Sequence, residues 1–124
     1  VAKYLEKSDK VISVNYPGLE TDKHHSLAKK YLPDGASGVI TFVIKGGRET
    51  AVKFMDSLEL ASRVVHVADI RTCALHPASA THRQLTDEQL VAAGINAGMI
   101  RLSVGLENVE DIIYDVEQAL SKIE

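Results

Sequence analysis

One segment limits the possible folds more than any other: residues 38–44, with the sequence GVITFVI. This nearly unbroken run of apolar and β-branched residues predicts a strand that faces water on neither side. A Pro-Asp-Gly turn at 33–35 precedes it and the pair Gly46-Gly47 follows it, and both sequences end regular structure. A strand of this kind needs neighbouring strands and a covering layer of helices.

Strands and helices alternate along the rest of the chain. Strands are predicted at 11–14, 64–65, 72–75 and 99–104, and helices at 1–7, 22–32, 49–58, 86–93 and 109–123. Between residues 64 and 75 two strands follow one another with no helix between them. A purely parallel α/β fold would require a connecting helix at this point. We therefore predict an α+β fold with a mostly antiparallel sheet and helices packed on one face, in a single domain over residues 1–124.

The first predicted helix has no capping residue. Val1 and Ala2 already fit the helical pattern, and no Ser, Thr, Asp or Asn precedes them to accept the free N–H groups of the first turn. We expect that the chain has been cut inside a longer helix and is part of a larger protein.

Composition excludes several classes of function. The chain has 14 basic and 17 acidic residues, a formal charge of −3, which argues against nucleic-acid binding. The single cysteine, Cys73, cannot form an internal disulfide. No apolar run approaches the ~20 residues that span a bilayer, and no signal-peptide pattern opens the chain. A soluble, cytoplasmic domain is expected.

The five histidines do not form a pattern typical of a metal site. His24 and His25 are adjacent, so on a helix they diverge by ~100°. His76 and His82 flank a loop with no carboxylate between them. Surface histidines and one histidine that stabilises the loop are favoured over a zinc site.

Two further features are better explained by structure than by chemistry. The glycine pair at 46–47 could present N–H groups to an anion, but a plain turn is the commoner use of such glycines. Cys73 lies in an apolar strand with no neighbour in sequence that would lower its pKa, so a small core residue is favoured over a nucleophile.

Arg101 is the strongest candidate for a ligand-binding residue. In the strand MIRLSV the alternation places Ile100, Leu102 and Val104 on the core face, and Arg101 and Ser103 on the other. An arginine held on a strand presents a planar fork that matches two carboxylate oxygens. From this spacing alone, a solvated surface arginine is still favoured.

Two motifs favour a ligand-binding role for Arg101 over that of a solvated surface arginine. Residues 76–82 (HPASATH) and 101–107 (RLSVGLE) resemble the C-terminal domain of the Cys/Met-metabolism family of pyridoxal-phosphate (PLP) enzymes, which have the aspartate-aminotransferase fold (fold type I). Within that family, the segments VNYPGL (14–19), LAKKYLP (27–33) and TFVIKGG (41–47), with FMDSL (54–58), are most similar to the O-acetylhomoserine sulfhydrylases. The resemblance extends over essentially the whole chain.

The resemblance implies a role for each part of such an enzyme. Arg101 matches the family's arginine that binds the substrate α-carboxylate. The Schiff-base lysine, the cofactor-binding tyrosines and the phosphate loop belong to the family's large domain, and no lysine of this chain lies in the matching motif. The implied reaction converts O-acetylhomoserine and sulfide to homocysteine and acetate, with PLP as electron sink. The implied partners are the large PLP-binding domain and other subunits of a homo-oligomer, commonly a tetramer.

The sequence also departs from the family pattern at three positions. Ala68 stands before Asp69 where the family often has glycine, and Ala80 replaces a common threonine in the HPAS loop. His66 stands where Asn or Ser is frequent, close to the substrate carboxylate. It is therefore the second predicted substrate-binding residue, and no catalytic, cofactor-binding or metal-binding residue is assigned to this chain.

Alternative functions remain open at this point. A methionine γ-lyase or a cystathionine γ-synthase would carry a similar C-terminal domain. A free-standing module that binds an amino acid and regulates another protein is the alternative from a different class. The uncapped start and the presence of both motifs favour the enzyme domain, which on its own is expected to be inactive.

Overall fold

The computed structural model describes residues 1–66 and 68–123. Five strands and five helices alternate along this part of the chain. In order they are α1 (Ala2–Lys7), β1 (Val11–Asn15), α2 (His25–Tyr31), β2 (Val39–Ile44), α3 (Gly47–Ser57), β3 (Ser62–Arg63), β4 (Cys73–Leu75), α4 (Asp87–Ala92), β5 (Met99–Ser103) and α5 (Val109–Ser121).

The strands form one sheet in the order β1-β2-β5-β4-β3. β1 with β2, β2 with β5, and β5 with β4 pair antiparallel, while the short β3 pairs parallel with β4. Strand β5 is therefore central and has hydrogen-bonded neighbours on both sides.

Helices α1, α3 and α5 cover one face of the sheet. Their apolar residues form a single cluster with the inward side chains of the strands, which include Phe42, Ile100 and Leu102. The rings of Phe42 and Phe54 meet edge to face at 5.8 Å between centroids, a favourable aromatic arrangement. The predicted α+β fold with a mostly antiparallel sheet and helices on one face is confirmed.

The opposite face of strand β2 is only partly covered, which corrects the expectation from its sequence. Ile40, Phe42 and Ile44 point into the core, but Val39 is 43% exposed on the other side. The apolar run therefore overstates burial, since β-branched residues also suit a half-covered strand.

Several predicted boundaries were displaced, and the displacement has a clear physical reason in two of them. The strand expected at 64–65 lies at Ser62–Arg63, where the N–H of Ser62 donates to the carbonyl of Thr72 (2.9 Å). The helix expected from Asp22 starts at His25, because the Asp22 carboxylate accepts from the N–H groups of Tyr16 (3.0 Å) and His24 (2.8 Å). Asp22 thus closes the preceding turns instead of capping the helix.

Other local predictions were correct. Thr86 and Gln89 form a reciprocal capping box at the start of α4, and Gly94 adopts a φ of +75° just after that helix, as helix ends often require. No helix within the described residues has the length and apolar character needed to cross a membrane.

Candidate carboxylate-binding site

Arg101 projects from the centre of the sheet, away from the helices. In the sheet it lies between Thr41 on β2 and Leu75 on β4. Its neighbours Ile100 and Leu102 are fully buried on the core face, whereas Arg101 and Ser103 are half-buried on the other. The outward orientation predicted from the alternation is confirmed.

A pocket of about 280 Å³ lies over this side of the sheet. Strand β5 and the residues around the start of β2 form its floor and one wall, and the loop between β3 and β4 forms the opposite wall. Arg101 and His66, the two predicted substrate-binding residues, both line it. The other lining residues are Gly38, Val39, Ala68, Asp69, Cys73, Ser103 and Val104.

The guanidinium of Arg101 has unused hydrogen-bonding capacity in this pocket. Its Nη2 lies 3.5 Å from the carbonyl oxygen of His66, a long contact. Its Nε is buried and has no hydrogen-bond partner among the described residues. Buried donors are nearly always paired in folded proteins, so an unfilled guanidinium indicates a missing acceptor. A carboxylate has the matching two-oxygen geometry and charge.

The loop between β3 and β4 is held by charge-assisted hydrogen bonds around Asp69. The Asp69 carboxylate accepts from the backbone N–H, Nε and Nη2 of Arg71 at 2.9, 3.2 and 2.8 Å. It also contacts Nδ1 of His66 at 2.8 Å. The bonds from Arg71, followed by the bond from His66, hold the pKa of Asp69 well below its usual value. Asp69 is therefore a carboxylate at neutral pH and supplies the negative charge of the pocket wall.

The turn that brings Asp69 back toward His66 depends on Ala68. This alanine has a φ of +58°, in the left-handed region that favours glycine. The alanine therefore adopts a conformation that costs about 1–2 kcal/mol for a residue with a Cβ. A glycine would adopt the same backbone conformation without that cost.

A second polar network joins the ends of β5 and β4. The Glu107 carboxylate accepts from the backbone N–H (2.7 Å) and the hydroxyl (2.8 Å) of Thr72, whose oxygen accepts from the N–H of Gly105 (2.9 Å). Burial raises the pKa of Glu107, but the hydrogen bonds from Thr72 outweigh it and lower that pKa overall. A Cβ at Gly105 would lie 2.4 Å from the backbone of Thr72, so only glycine allows this close approach.

Sequence reasoning assigned no role to Asp69, Thr72 or Glu107. Asp69 follows His66 by three residues in a stretch without helical or strand periodicity, so their contact depends on the left-handed turn at Ala68. Glu107 lies within the quoted motif, but its partner Thr72 is 35 residues away in sequence. Only the strand pairing brings the two together.

The remaining sequence candidates have structural roles. His76 is buried, its Nε2 donates to the carbonyl of Ala97 (2.7 Å), and its Nδ1 accepts from the hydroxyl of Ser79 (2.8 Å). This confirms the predicted histidine that stabilises the HPAS loop. Cys73 is buried as predicted, although it lies on the pocket side of the sheet. Burial raises the pKa of its thiol, so the reactive thiolate is disfavoured.

Neither a metal cluster nor the cavity beside α3 offers a better site. Within residues 1–66 and 68–123, no three His, Cys, Asp or Glu side chains converge as metal ligands would. A cavity of about 300 Å³ between α3 and the HPAS loop is lined mostly by apolar residues. Its arginine, Arg63, is already paired with Asp56. The pocket at Arg101 is therefore the candidate site.

A model of the Cys/Met metabolism PLP-dependent enzyme family matches residues 1–121. The chain belongs to this family. It is 52% identical over 124 residues to an O-acetyl-L-homoserine sulfhydrylase of Leptospira meyeri, a match that includes 99% of this chain and 28% of that protein. It is 49% identical over 123 residues to an L-methionine gamma-lyase of Fusobacterium nucleatum subsp. polymorphum, covering 99% of this chain and 31% of that enzyme.

A solved structure of the PLP-dependent family shares the fold. A crystal structure assigned as an O-acetylhomoserine (thiol)-lyase from Campylobacter jejuni superposes with a TM-score of 0.87 at 40% identity, over 97% of this chain and 28% of that chain. That protein carries a pyridoxyl-lysine monophosphate group. The present chain spans less than a third of the length of these relatives.

The residues of the Arg101 pocket suit a substrate of such an enzyme better than its cofactor. PLP is held through a lysine, and no lysine is among the described residues that line the pocket. The unpartnered buried Nε of Arg101 instead fits a carboxylate.

Proposed function

We propose that this chain is the C-terminal small domain of a PLP-dependent sulfhydrylase. The enzyme makes homocysteine from O-acetyl-L-homoserine and sulfide, and Arg101 binds the α-carboxylate of its amino-acid substrate. The observation that carries the proposal is the half-buried guanidinium of Arg101, whose Nε has no partner among the described residues of the pocket. Family membership supports an enzyme domain over a free-standing amino-acid-binding module.

Arg101 contributes orientation to the reaction. Strand β5 has neighbours on both sides, so the backbone from which Arg101 projects into the pocket is fixed. Binding the carboxylate at two oxygens sets the rotation of the substrate and aligns its reacting bonds, which raises the rate by fixing geometry. PLP, when bound, supplies the electron sink that stabilises the substrate carbanion.

The walls of the pocket strengthen this interaction. Val39 and the buried Cys73 line the same pocket as Arg101, and an ion pair in such partly apolar surroundings is stronger than one in water. His66 lies across the pocket from the sheet and is the second residue proposed to contact the carboxylate.

The rest of the enzyme is proposed to lie outside this chain. A large PLP-binding domain would supply the lysine and the phosphate-binding groups. The complete enzyme would be a cytoplasmic homo-oligomer, a tetramer by family resemblance. The chain spans under a third of the length of its relatives, which supports a further, larger domain in the complete enzyme.

A methionine γ-lyase is the second candidate. The identity to the L-methionine gamma-lyase, 49%, is close to that to the sulfhydrylase, 52%. Arg101 would have the same role there, because methionine also presents an α-carboxylate. The two functions differ in the γ-substituent of the substrate, whereas the α-carboxylate that Arg101 is proposed to bind is common to both.

Substrate profiling of the full-length protein separates these functions. Purified protein loaded with PLP is given O-acetyl-L-homoserine with sulfide, and separately L-methionine alone. Homocysteine formation supports the sulfhydrylase, whereas release of a 2-oxo acid from methionine supports the γ-lyase. Cystathionine formation with L-cysteine in place of sulfide would indicate a cystathionine γ-synthase. No reaction with any of these substrates would contradict the proposal.

A further inference from the structure

We propose that Ser103 is a further substrate-binding residue of the pocket, whose hydroxyl donates a hydrogen bond to the carboxylate that Arg101 binds. This inference rests on the proposed function, because it places a second donor of the sheet in the same site. The donor is uncharged and stands on the floor of the pocket, so it contributes direction where the guanidinium contributes charge.

The register of the sheet places Ser103 at the centre of the pocket floor. Ser103 lies opposite Val39 on β2 and opposite Cys73 on β4. All three residues of this row line the pocket. Since the two neighbours of Ser103 are an aliphatic residue and a thiol, its hydroxyl is the strongest hydrogen-bond donor that the side chains of the row offer.

Arg101 reaches this pocket from the neighbouring row of the sheet. Thr41 and Leu75 flank it in the two ladders, and neither of them lines the pocket. The pocket therefore lies over the row of Ser103. Residues two apart on a strand are about 6–7 Å apart on the same face, which the long side chain of an arginine can span. The guanidinium and the Ser103 hydroxyl can thus meet on one ligand.

The hydroxyl of Ser103 is free to donate. Ser103 is half-buried on the pocket face, and within residues 1–66 and 68–123 its hydroxyl takes part in no hydrogen bond. The thiol of the neighbouring Cys73 already donates to the carbonyl of Arg71 (3.4 Å). Because an ionised carboxylate can only accept and a hydroxyl has one hydrogen to donate, a ligand carboxylate is a suitable partner for Ser103.

The charge on the loop wall explains why a donor on the floor is useful. That wall carries the Asp69 carboxylate, whose low pKa keeps it ionised at neutral pH. Three donors of Arg71 bind this carboxylate, so they are already engaged. A ligand carboxylate in the same pocket is repelled by Asp69, since like charges repel. Donors on the sheet, Arg101 and Ser103, offset that repulsion and hold the ligand toward the floor.

Equilibrium binding of two small ligands tests the contact. L-Homoserine carries an α-carboxylate, and 3-amino-1-propanol is the same molecule without it. Isothermal titration calorimetry of the full-length protein loaded with PLP gives the dissociation constant of each ligand without relying on turnover. Loss of one hydrogen bond to a charged group weakens binding about 10-fold. We therefore expect Ser103→Ala to raise the dissociation constant of L-homoserine by that factor and to leave that of 3-amino-1-propanol unchanged.

Two further variants separate a hydrogen bond from a change of shape. Ser13→Ala is the matched control, because Ser13 is exposed on β1 and does not line the pocket, and it should change neither dissociation constant. Ser103→Thr keeps the hydroxyl on a side chain that suits a strand, so it should bind L-homoserine more tightly than Ser103→Ala does. Equal effects of Ser103→Ala on the two ligands, no effect on either, or equal losses in both Ser103 variants would overturn the proposal.

Arg101→Ala distinguishes the failure of this inference from the failure of the proposed function. A normal dissociation constant for L-homoserine in Arg101→Ala would refute the carboxylate site as a whole. A large loss in Arg101→Ala beside a normal constant in Ser103→Ala would leave the carboxylate site standing and overturn only the role of Ser103. Urea denaturation of each variant checks that the fold is intact.

Discussion

Ile100 and Leu102 point from strand β5 into the helix-covered core and are fully buried, whereas Arg101 and Ser103 point from the same strand into a half-open pocket. The core face is apolar and closely packed by three helices. The pocket face has a loop for its cover and a guanidinium nitrogen without a partner within the described chain. Alternation along one strand therefore places the buried core and the proposed carboxylate site one residue apart.

The largest expected effect is the loss of substrate binding in Arg101→Ala. Truncating one partner of a desolvated charge pair costs about 2–5 kcal/mol, which lowers kcat/KM by ~30- to several-thousand-fold. Arg101→Lys keeps the charge but loses the planar fork, so it recovers only part of this. Steady-state kinetics of the full-length enzyme, with the PLP absorbance as a check on cofactor binding, measure the effect.

Leu102→Ala is the control on the opposite face of the strand. It removes a fully buried side chain, which lowers the free energy of unfolding by about 2–5 kcal/mol, while kcat/KM per folded molecule stays close to normal. The contrast between the faces would be wrong if Arg101→Ala kept a normal kcat/KM, or if it destabilised the fold as much as Leu102→Ala.

A smaller effect is expected from the buried carboxylate on the helix side. Asp115 on α5 accepts from the N–H groups of Glu59 (2.7 Å) and Ala61 (2.8 Å), which fastens the segment after α3 to the last helix. Asp115→Asn leaves one of these donors poorly paired, at a cost of about 1–3 kcal/mol in the free energy of unfolding. Urea denaturation measures it, and Glu117→Gln, at an exposed site on the same helix, is the matched control. Equal losses in both variants would contradict the role of Asp115.

The smallest expected effect is a pH dependence that arises from His76. Burial lowers the pKa of His76 below its ordinary 6.5, so the unfolded chain binds a proton more readily than the folded one. Its contribution to stability is complete above about pH 6.5 and is lost as the pH falls toward the lower pKa of the folded state. The slope from one such group does not exceed about 1.4 kcal/mol per pH unit. Urea denaturation at several pH values should show a shallower slope for His76→Gln, and an unchanged slope would refute this origin.

The sequence predicted the core side of the molecule better than the pocket side. Periodicity identified β5, α3 and α5 because each places apolar residues at a regular spacing toward one core. The orientation of Arg101 followed from the same alternation. The contacts of Asp69 and the pairing of Glu107 with Thr72 did not follow from alternation. They depend on the positive φ of Ala68 and on strand neighbours that are distant in sequence. Irregular loops with local polar contacts carry no periodic signal.

The central position of β5 divides the pocket into a fixed part and an adjustable part. The backbone of Arg101 could shift only if the ladder to β2 or to β4 were broken, so it is a constant reference point in the proposed carboxylate site. The described residues of the adjoining loop, 64–66 and 68–71, are attached chiefly through side chains and a few backbone bonds, and their rearrangement breaks no central ladder. On the proposed role of Arg101, we therefore expect substitutions in that loop to change the ligand preference of the pocket while the strand stays the same.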